Sequence, residues 1–307
     1  MQTVETSPEL LAPLSADLEL CYQTFGDPTA DPLLLVMGLG GPMTWWDSGL
    51  CERLARAGFY VIRYDNRDTG RSSRGRGRVL PHTLLRAFVG GGARAAYGLS
   101  DLATDAFGLL DHLGIPVAHV AGVSMGGMIA QTMAIENPER VLSLTSIMST
   151  TGNRRVGGPH PSLIPLLLAR RGPSREAYLD AAMKVWRIIG SPGYPQTEEK
   201  LSKRAGETYD RGVSREGVLR QMLAILTQRD RTARLGELRI PATVIHGLAD
   251  KMVHVSGGRA TAAAIPGAEI LLIAGMGHDL PVELFDTFVT AICRTADRAH
   301  AAADAES

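Results

Sequence analysis

The sequence predicts an α/β protein: a mostly parallel central sheet of about eight strands with helices on both faces, interrupted once by a helical insertion. Three observations predict it. Short apolar runs alternate with stretches of helical spacing over residues 1–150 and again from residue 228. Between them, residues 151–227 carry helical patterns with Pro, Gly and Arg punctuation and no strand pattern. Finally, the apolar run 117–123 passes directly into a Gly-x-Ser-x-Gly turn, where a strand should give way to a helix.

Residues 18–25 alternate apolar and polar side chains, as an edge strand does, and residues 32–37 read as a buried strand ending in Gly38-Leu39-Gly40-Gly41. Residues 60–64 form the next strand, followed by the loop Asp65-Asn66-Arg67-Asp68-Thr69-Gly70-Arg71-Ser72. Helical spacing covers 102–113, and after the strand 117–123 a helix runs over 126–137 until Pro138 stops it. Another strand occupies 141–148. In the insertion, Ser174-Arg175-Glu176 and Ser214-Arg215-Glu216 read as helix starts, a polar cap residue followed by charge. Strands resume at 242–246 and 269–273, and a last helix covers about 281–293. The domain reading is a core of 1–150 and 228–295, a helical cap of 151–227 and a disordered tail of 296–307.

Composition excludes several classes. Formal charge balances at zero, so nothing global suggests nucleic acid. Arginine outnumbers lysine 28 to 4, which reads as coding bias rather than function. Cys21, Cys51 and Cys293 are far apart, with neither a disulfide framework nor zinc-ligand spacing, and suit a reducing cytoplasm. No secretory leader is apparent, and no apolar run approaches the eighteen or so residues of a spanning helix. Oligomeric state is not legible.

The Gly122-Val123-Ser124-Met125-Gly126 turn points to a nucleophile. A turn this sharp strains the serine backbone, presses neighbouring chain against the glycines, and leaves Oγ exposed at a helix N-terminus. Read alone, it is equally a glycine-rich turn that happens to hold serine. An activated serine also needs a base, a carboxylate to orient it, and donors for the oxyanion. Asp250 closes His246-Gly247-Leu248-Ala249-Asp250 just past a strand end; its plain reading is an N-cap for the next helix. His278 follows the last strand in Gly275-Met276-Gly277-His278; its plain reading is a loop histidine. The oxyanion hole combines the N–H groups of Met125 and Leu39, with Gly40 as the fallback. His112 and His119 are expected on the surface, His246 as a brace for the Asp250 loop, and His254 as a minor substrate contact.

With these residues assembled, residues 18–293 resemble the α/β-hydrolase superfamily, whose triads run in the chain order Ser124, Asp250, His278. The loop from Asp68 to Ser72 is similar to that superfamily's structural D-x-G-x-S segment. Val36-Met37-Gly38, in place of His-Gly, together with Tyr64-Asp65-Asn66-Arg67, resembles bacterial esterases of the aclacinomycin methylesterase type and mycobacterial lipase/esterase-like hydrolases. The resemblance implies ester hydrolysis through an acyl-enzyme, a small-molecule ester as partner, and no metal or organic cofactor. Serine at 124 counts against the dehalogenases and epoxide hydrolases of this fold, which use aspartate there. Thioesterases, cofactor-free perhydrolases and carbon–carbon bond hydrolases share the triad, and some relatives are non-catalytic ligand receptors.

An apolar pocket with adaptable walls is expected beneath the cap. Its lining is drawn from Gly38, Gly40, Trp46, Met148, Trp186 and Met252, with Met43, Trp45 and Met276 nearby. Leu163, Ile164, Leu166, Leu167, Met183, Ile189 and Tyr194 supply further cap residues. The run 161–168 followed by Arg170-Arg171 reads either as a lipid-touching lid or as a packed cap helix. The eight arginines between Arg63 and Arg94 read as a solvated loop, or as a contact for an anionic carrier or phospholipid.

Overall fold

The computed structural model describes residues 3–163 and 174–306. Eight strands form one sheet: β1 (Leu10–Ser15), β2 (Leu18–Phe25), β3 (Asp31–Val36), β4 (Phe59–Tyr64), β5 (Ala118–Val123), β6 (Val141–Ile147), β7 (Ala242–Gly247) and β8 (Glu269–Ile273). Their spatial order is β1-β2-β4-β3-β5-β6-β7-β8. β2 pairs antiparallel with β1 and β4, and every pairing from β4 through β8 is parallel.

Because side chains alternate along a strand, the apolar runs of β3 to β7 supply two cores at once. Leu34, Val36, Ile62, Tyr64, Val120 and Leu144 face α3 (Leu99–His112) and α4 (Met125–Glu136). Leu33, Leu35, Val61, Ala121, Ile147 and Ile245 face α1 (Ser48–Arg56) and a long C-terminal helix. A further helix, α2 (Pro81–Phe88), follows the arginine-rich loop.

Among the described residues, the chain between β6 and β7 includes α5 (Arg175–Ile189), α6 (Glu198–Asp210) and α7 (Arg215–Thr227), with a short fourth helix before β7. Ser174 and Ser214 cap α5 and α7 as expected, accepting from Ala177 N at 3.2 Å and Gly217 N at 3.0 Å. Trp186, Ile189, Leu201 and Ala205 close a third apolar cluster there, with Leu163. Ile164, Leu166, Leu167 and the Arg170-Arg171 pair lie outside the described residues. The helices α8 (Thr232–Leu235), α9 (Ser256–Ala264) and α10 (Phe285–Glu306) complete the chain.

Two expectations are corrected. The edge strand is β1, and the 18–25 segment lies one place inward. Pro13 and a register break beside it blur the strand pattern of β1, features that edge strands tolerate. The expected disordered tail is instead the last part of α10. Its alanine-rich sequence favours helix, Ala296 is buried on the core, and Thr295 Oγ1 meets Thr243 Oγ1 at 2.7 Å.

The site is positioned where the chain reverses direction across the sheet. From β3 it moves to β4 on one side, then returns to β5 on the other, leaving a crevice at the strand ends. Val36 pairs with Gly122, so the Gly38–Gly41 loop and the serine turn emerge side by side. A Cβ on Gly122 would sit 2.1 Å from Gly126 O, and one on Gly126 2.1 Å from Val36 O. Gly126→Ala is therefore expected to destabilise by at least about 3 kcal/mol in denaturant titration. Gly92→Ala, where a Cβ meets nothing within 4 Å, should change stability little.

Candidate active site

Ser124 links β5 to α4 with φ 58° and ψ −118°, a left-handed conformation that costs a non-glycine residue roughly 1–3 kcal/mol. Its backbone is held on both sides: Ser124 N donates to Ile147 O at 2.8 Å, and Ser149 Oγ donates to Ser124 O at 2.8 Å. Met125 opens α4, so its N–H is one of the helix's orphan donors and lies beside the serine.

Asp250 follows β7 and His278 follows β8, and these neighbouring strands bring the two together. His278 Nε2 lies 3.0 Å from Ser124 Oγ, and His278 Nδ1 lies 2.7 Å from Asp250 Oδ2. The other carboxylate oxygen, Oδ1, accepts from Met252 N at 2.8 Å and Val253 N at 2.9 Å. The N-cap reading of Asp250 is corrected: these amides belong to the turn after β7, and the next helix, Ser256–Ala264, has Val255 at its cap with no side-chain bond. Burial alone would raise its pKa, but His278, His246 and the hydrogen bonds outweigh it and hold the carboxyl well below the usual range. An ionised Asp250 puts the proton on His278 Nδ1 and leaves Nε2 to accept from the serine hydroxyl. His246 is buried, donates from Nε2 to Val253 O at 2.8 Å, and stands 3.5 Å from Asp250 Oδ2. It braces the loop. His254 is exposed and bonds Ser256 Oγ, away from the serine–histidine–aspartate chain.

Gly38 lies against the serine: a Cβ there would come 3.6 Å from Ser124 Oγ. Leu39 is half-buried in the same loop. Gly40 is committed elsewhere, its N–H donating to Gln221 Oε1 of α7 at 2.8 Å. Gln221 also donates to Arg67 O and Thr69 Oγ1, so one buried amide ties the glycine loop to the 65–72 loop. Trp46 is corrected from pocket wall to core: it is fully buried among Leu50, Leu54 and Phe288. Trp45 instead faces α5, its ring 5.1 Å from that of Trp186, with Met252 in the same cluster. The tight turn at 43–45 sends successive side chains to different sides, a choice that adjacent tryptophans do not reveal. Met43, Met148 and Met276 are likewise fully buried in the core rather than flexible walls.

Sequence reading missed the seat of the histidine. The C-terminal end of α5 accepts from it, with His278 N donating to Ile189 O at 2.6 Å. Gly277 N donates to Ser191 Oγ at 2.8 Å, and Ser191 Oγ donates to buried Asp279, which also accepts from Gln196 Nε2 at 2.8 Å. These pairs are more than eighty residues apart in the chain, beyond any local signal. The partly buried Arg204 of α6 lies over the Trp186 ring at 4.9 Å and the Trp45 ring at 5.8 Å. Burial of its guanidinium lowers its pKa, and its Nη1 has no hydrogen-bond partner among the described residues.

Residues 31–283 match the alpha/beta hydrolase fold family. The chain belongs to that family. This hydrolase is 32% identical to rhodomycin D methylesterase DauP of Streptomyces sp. (strain C5), over 90% of its own length and 94% of that relative's. It is 28% identical to a 2-hydroxy-6-oxononadienedioate/2-hydroxy-6-oxononatrienedioate hydrolase of Dechloromonas aromatica, over 89% and 88% of the two chains. Among solved structures, the enol-lactonase of Burkholderia xenovorans LB400 superposes with a TM-score of 0.71 at 22% identity, covering 94% of the hydrolase and 99% of that chain.

Two outcomes follow for the hydrolase. Asp250→Asn should cut kcat roughly 10⁴-fold by leaving His278 in the wrong tautomer. Because Asp250 titrates below its unfolded value of about 3.9, its contribution is present above that pH and lost as pH falls through the folded value. The variant's stability should therefore depend less on pH below about 4. Ser191→Ala should lower kcat roughly 10- to 100-fold, with a thermal midpoint close to wild type, because the histidine loop loses its seat.

Proposed function

We propose that this hydrolase cleaves a carboxylic methyl ester of a bulky aromatic acid through an acyl-enzyme on Ser124. One observation carries the reading: Ser124 Oγ, His278 and Asp250 form a continuous hydrogen-bonded chain at the ends of β5, β7 and β8, beside the Gly38–Gly41 loop. His278 takes the hydroxyl proton as Oγ attacks the ester carbonyl, and Asp250 stabilises the imidazolium. The N–H groups of Met125 and Leu39 receive the oxyanion. His278 then gives its proton to the leaving methoxide, methanol departs, and water repeats the sequence on the acyl group.

The helices α5 to α7 act as a cap that shapes the acyl side. Trp45, Trp186 and Met252 offer a flat, polarisable surface, with the Arg204 guanidinium over the Trp186 ring. The similarity to rhodomycin D methylesterase supports the methyl leaving group. No helix among the described residues is long and apolar enough to cross a membrane. Cys21, Cys51 and Cys293 are free, and burial pushes the Cys21 and Cys51 thiols up to about 12, which supports a reducing compartment and inert structural thiols.

Methanol release from a panel of aryl and polycyclic methyl esters tests the proposal. Ser124→Ala should lose at least ~10³-fold in turnover with an unchanged thermal midpoint. Wild-type rates in that variant would overturn the mechanism. Turnover of a 2-hydroxy-6-oxononadienedioate, the substrate named for the Dechloromonas relative, in place of every ester would overturn the substrate class and favour carbon–carbon hydrolysis.

A further inference from the structure

Three side chains from distant parts of the chain meet at the end of the sheet away from Ser124. Asp31 opens β3, His119 is the second residue of β5, and His300 lies in the last part of α10. Each offers one ligand atom, and these atoms lie within 4.8 Å of one another. His300 Nε2 stands 3.2 Å from Asp31 Oδ2, and the His119 and His300 rings meet edge to face with centroids 5.5 Å apart.

A half-exposed histidine–aspartate pair alone would be an ordinary surface contact. His119 makes the difference. Expected on the surface, it is 1% exposed, and its Nε2 is buried with no hydrogen-bond partner among the described residues. Its other nitrogen, Nδ1, sits 2.8 Å from Ser143 Oγ on β6. With the proton on Nδ1 donated to that hydroxyl, Nε2 keeps a bare lone pair, the arrangement by which an outer hydrogen bond orients a metal-binding imidazole.

We propose that Asp31, His119 and His300 form a binding site for a transition-metal dication of the zinc class. Two imidazole nitrogens and one carboxylate oxygen suit zinc, cobalt or nickel rather than calcium or magnesium, which take oxygen ligands. Tetrahedral closure needs ligand atoms about 3.3 Å apart, given metal–ligand distances of about 2.0 Å. The His300–Asp31 pair already meets that spacing, and both side chains are 48% exposed and free to turn toward the fixed, buried imidazole. Water or Asp297, one helical turn before His300, supplies the fourth ligand. The role is structural: the ion clips the C-terminal end of α10 to the starts of β3 and β5. Five residue steps, about 16 Å, take the chain from His119 to Ser124, so the ion takes no part in ester cleavage.

The full chain, stripped with a chelator, is titrated with zinc(II) and cobalt(II) while thermal midpoint and visible absorption are followed. One ion per chain should bind, give cobalt a tetrahedral visible spectrum, and raise the midpoint by about 4 °C at a hundredfold excess over Kd. His300→Ala and Asp31→Asn each alter an exposed position and should fold normally, yet lose at least ~10-fold in affinity. Ser143→Ala should weaken binding while leaving all three ligands present. Ester turnover should be the same with and without zinc. No midpoint shift, or a shift equal in wild type and His300→Ala, would overturn the site and leave the cluster as a plain ion-pair contact for the tail.

Discussion

At the crossing of β3, β5 and α4, three backbone segments approach within the space that a methyl group would need. Gly122 faces Gly126 O, and Gly126 faces Val36 O, each with only 2.1 Å available to a Cβ. That contact brings the start of α4 directly against the sheet and forces Ser124 into its left-handed conformation. The strain is held in place by hydrogen bonds from β6 and from Ser149. The proposed chemistry depends on it, because the same crossing places the Met125 N–H beside Ser124 and sets Gly38 against its side chain.

Buried polar contacts join the inserted helices to this core beside apolar ones from Ala224 and the Trp45–Trp186 cluster. Arg220 of α7 forms a paired ion contact with Asp68, at 2.5 and 2.8 Å, while Arg211, following α6, reaches Asp65 at 2.8 Å and Glu9 at 2.6 Å. Arg231 closes the base of the insertion, its N–H donating to Thr151 O and its guanidinium to Thr150 O. Buried ion pairs add little net stability over apolar contacts, but an unpaired partner is costly, so they discriminate sharply against wrong docking. The insertion is thereby held in one orientation over the strand ends, with the end of α5 seating His278 and Gln221 holding Gly40.

The same logic accounts for much of the arginine-rich stretch. Arg63 bonds Gln23 and Trp46 O, Arg67 pairs with Asp105, and Arg74 reaches Asp68 O, Gly70 O and Gly212 O. Those charges serve internal partners. Burial raises the pKa of Asp105 even beside Arg67, whereas Asp68, with Arg220 and Tyr97 donating to it, is lowered against the same burial effect. The two titrate in opposite directions because Asp105 also feels the Asp101 charge, while Asp68 receives donors from Arg220, Tyr97 and Gly75.

By itself the sequence determined the local matters: the alternation of apolar runs, the helical insertion, the serine turn, and the candidates Asp250 and His278 just past strand ends. Each is legible because strand and helix periods, capping residues and glycine requirements are properties of a few neighbouring residues. Tertiary structure decided the rest. It chose Trp45 over Trp46 as the tryptophan facing the insertion, buried His119, gave the edge of the sheet to a proline-bearing strand, and carried α10 through the alanine-rich tail. It also joined Gln221 to Gly40 and Ser191 to Gly277 across separations of 181 and 86 residues. Such contacts arise from packing between elements, where burial and hydrogen-bond completion select a partner that no local pattern encodes.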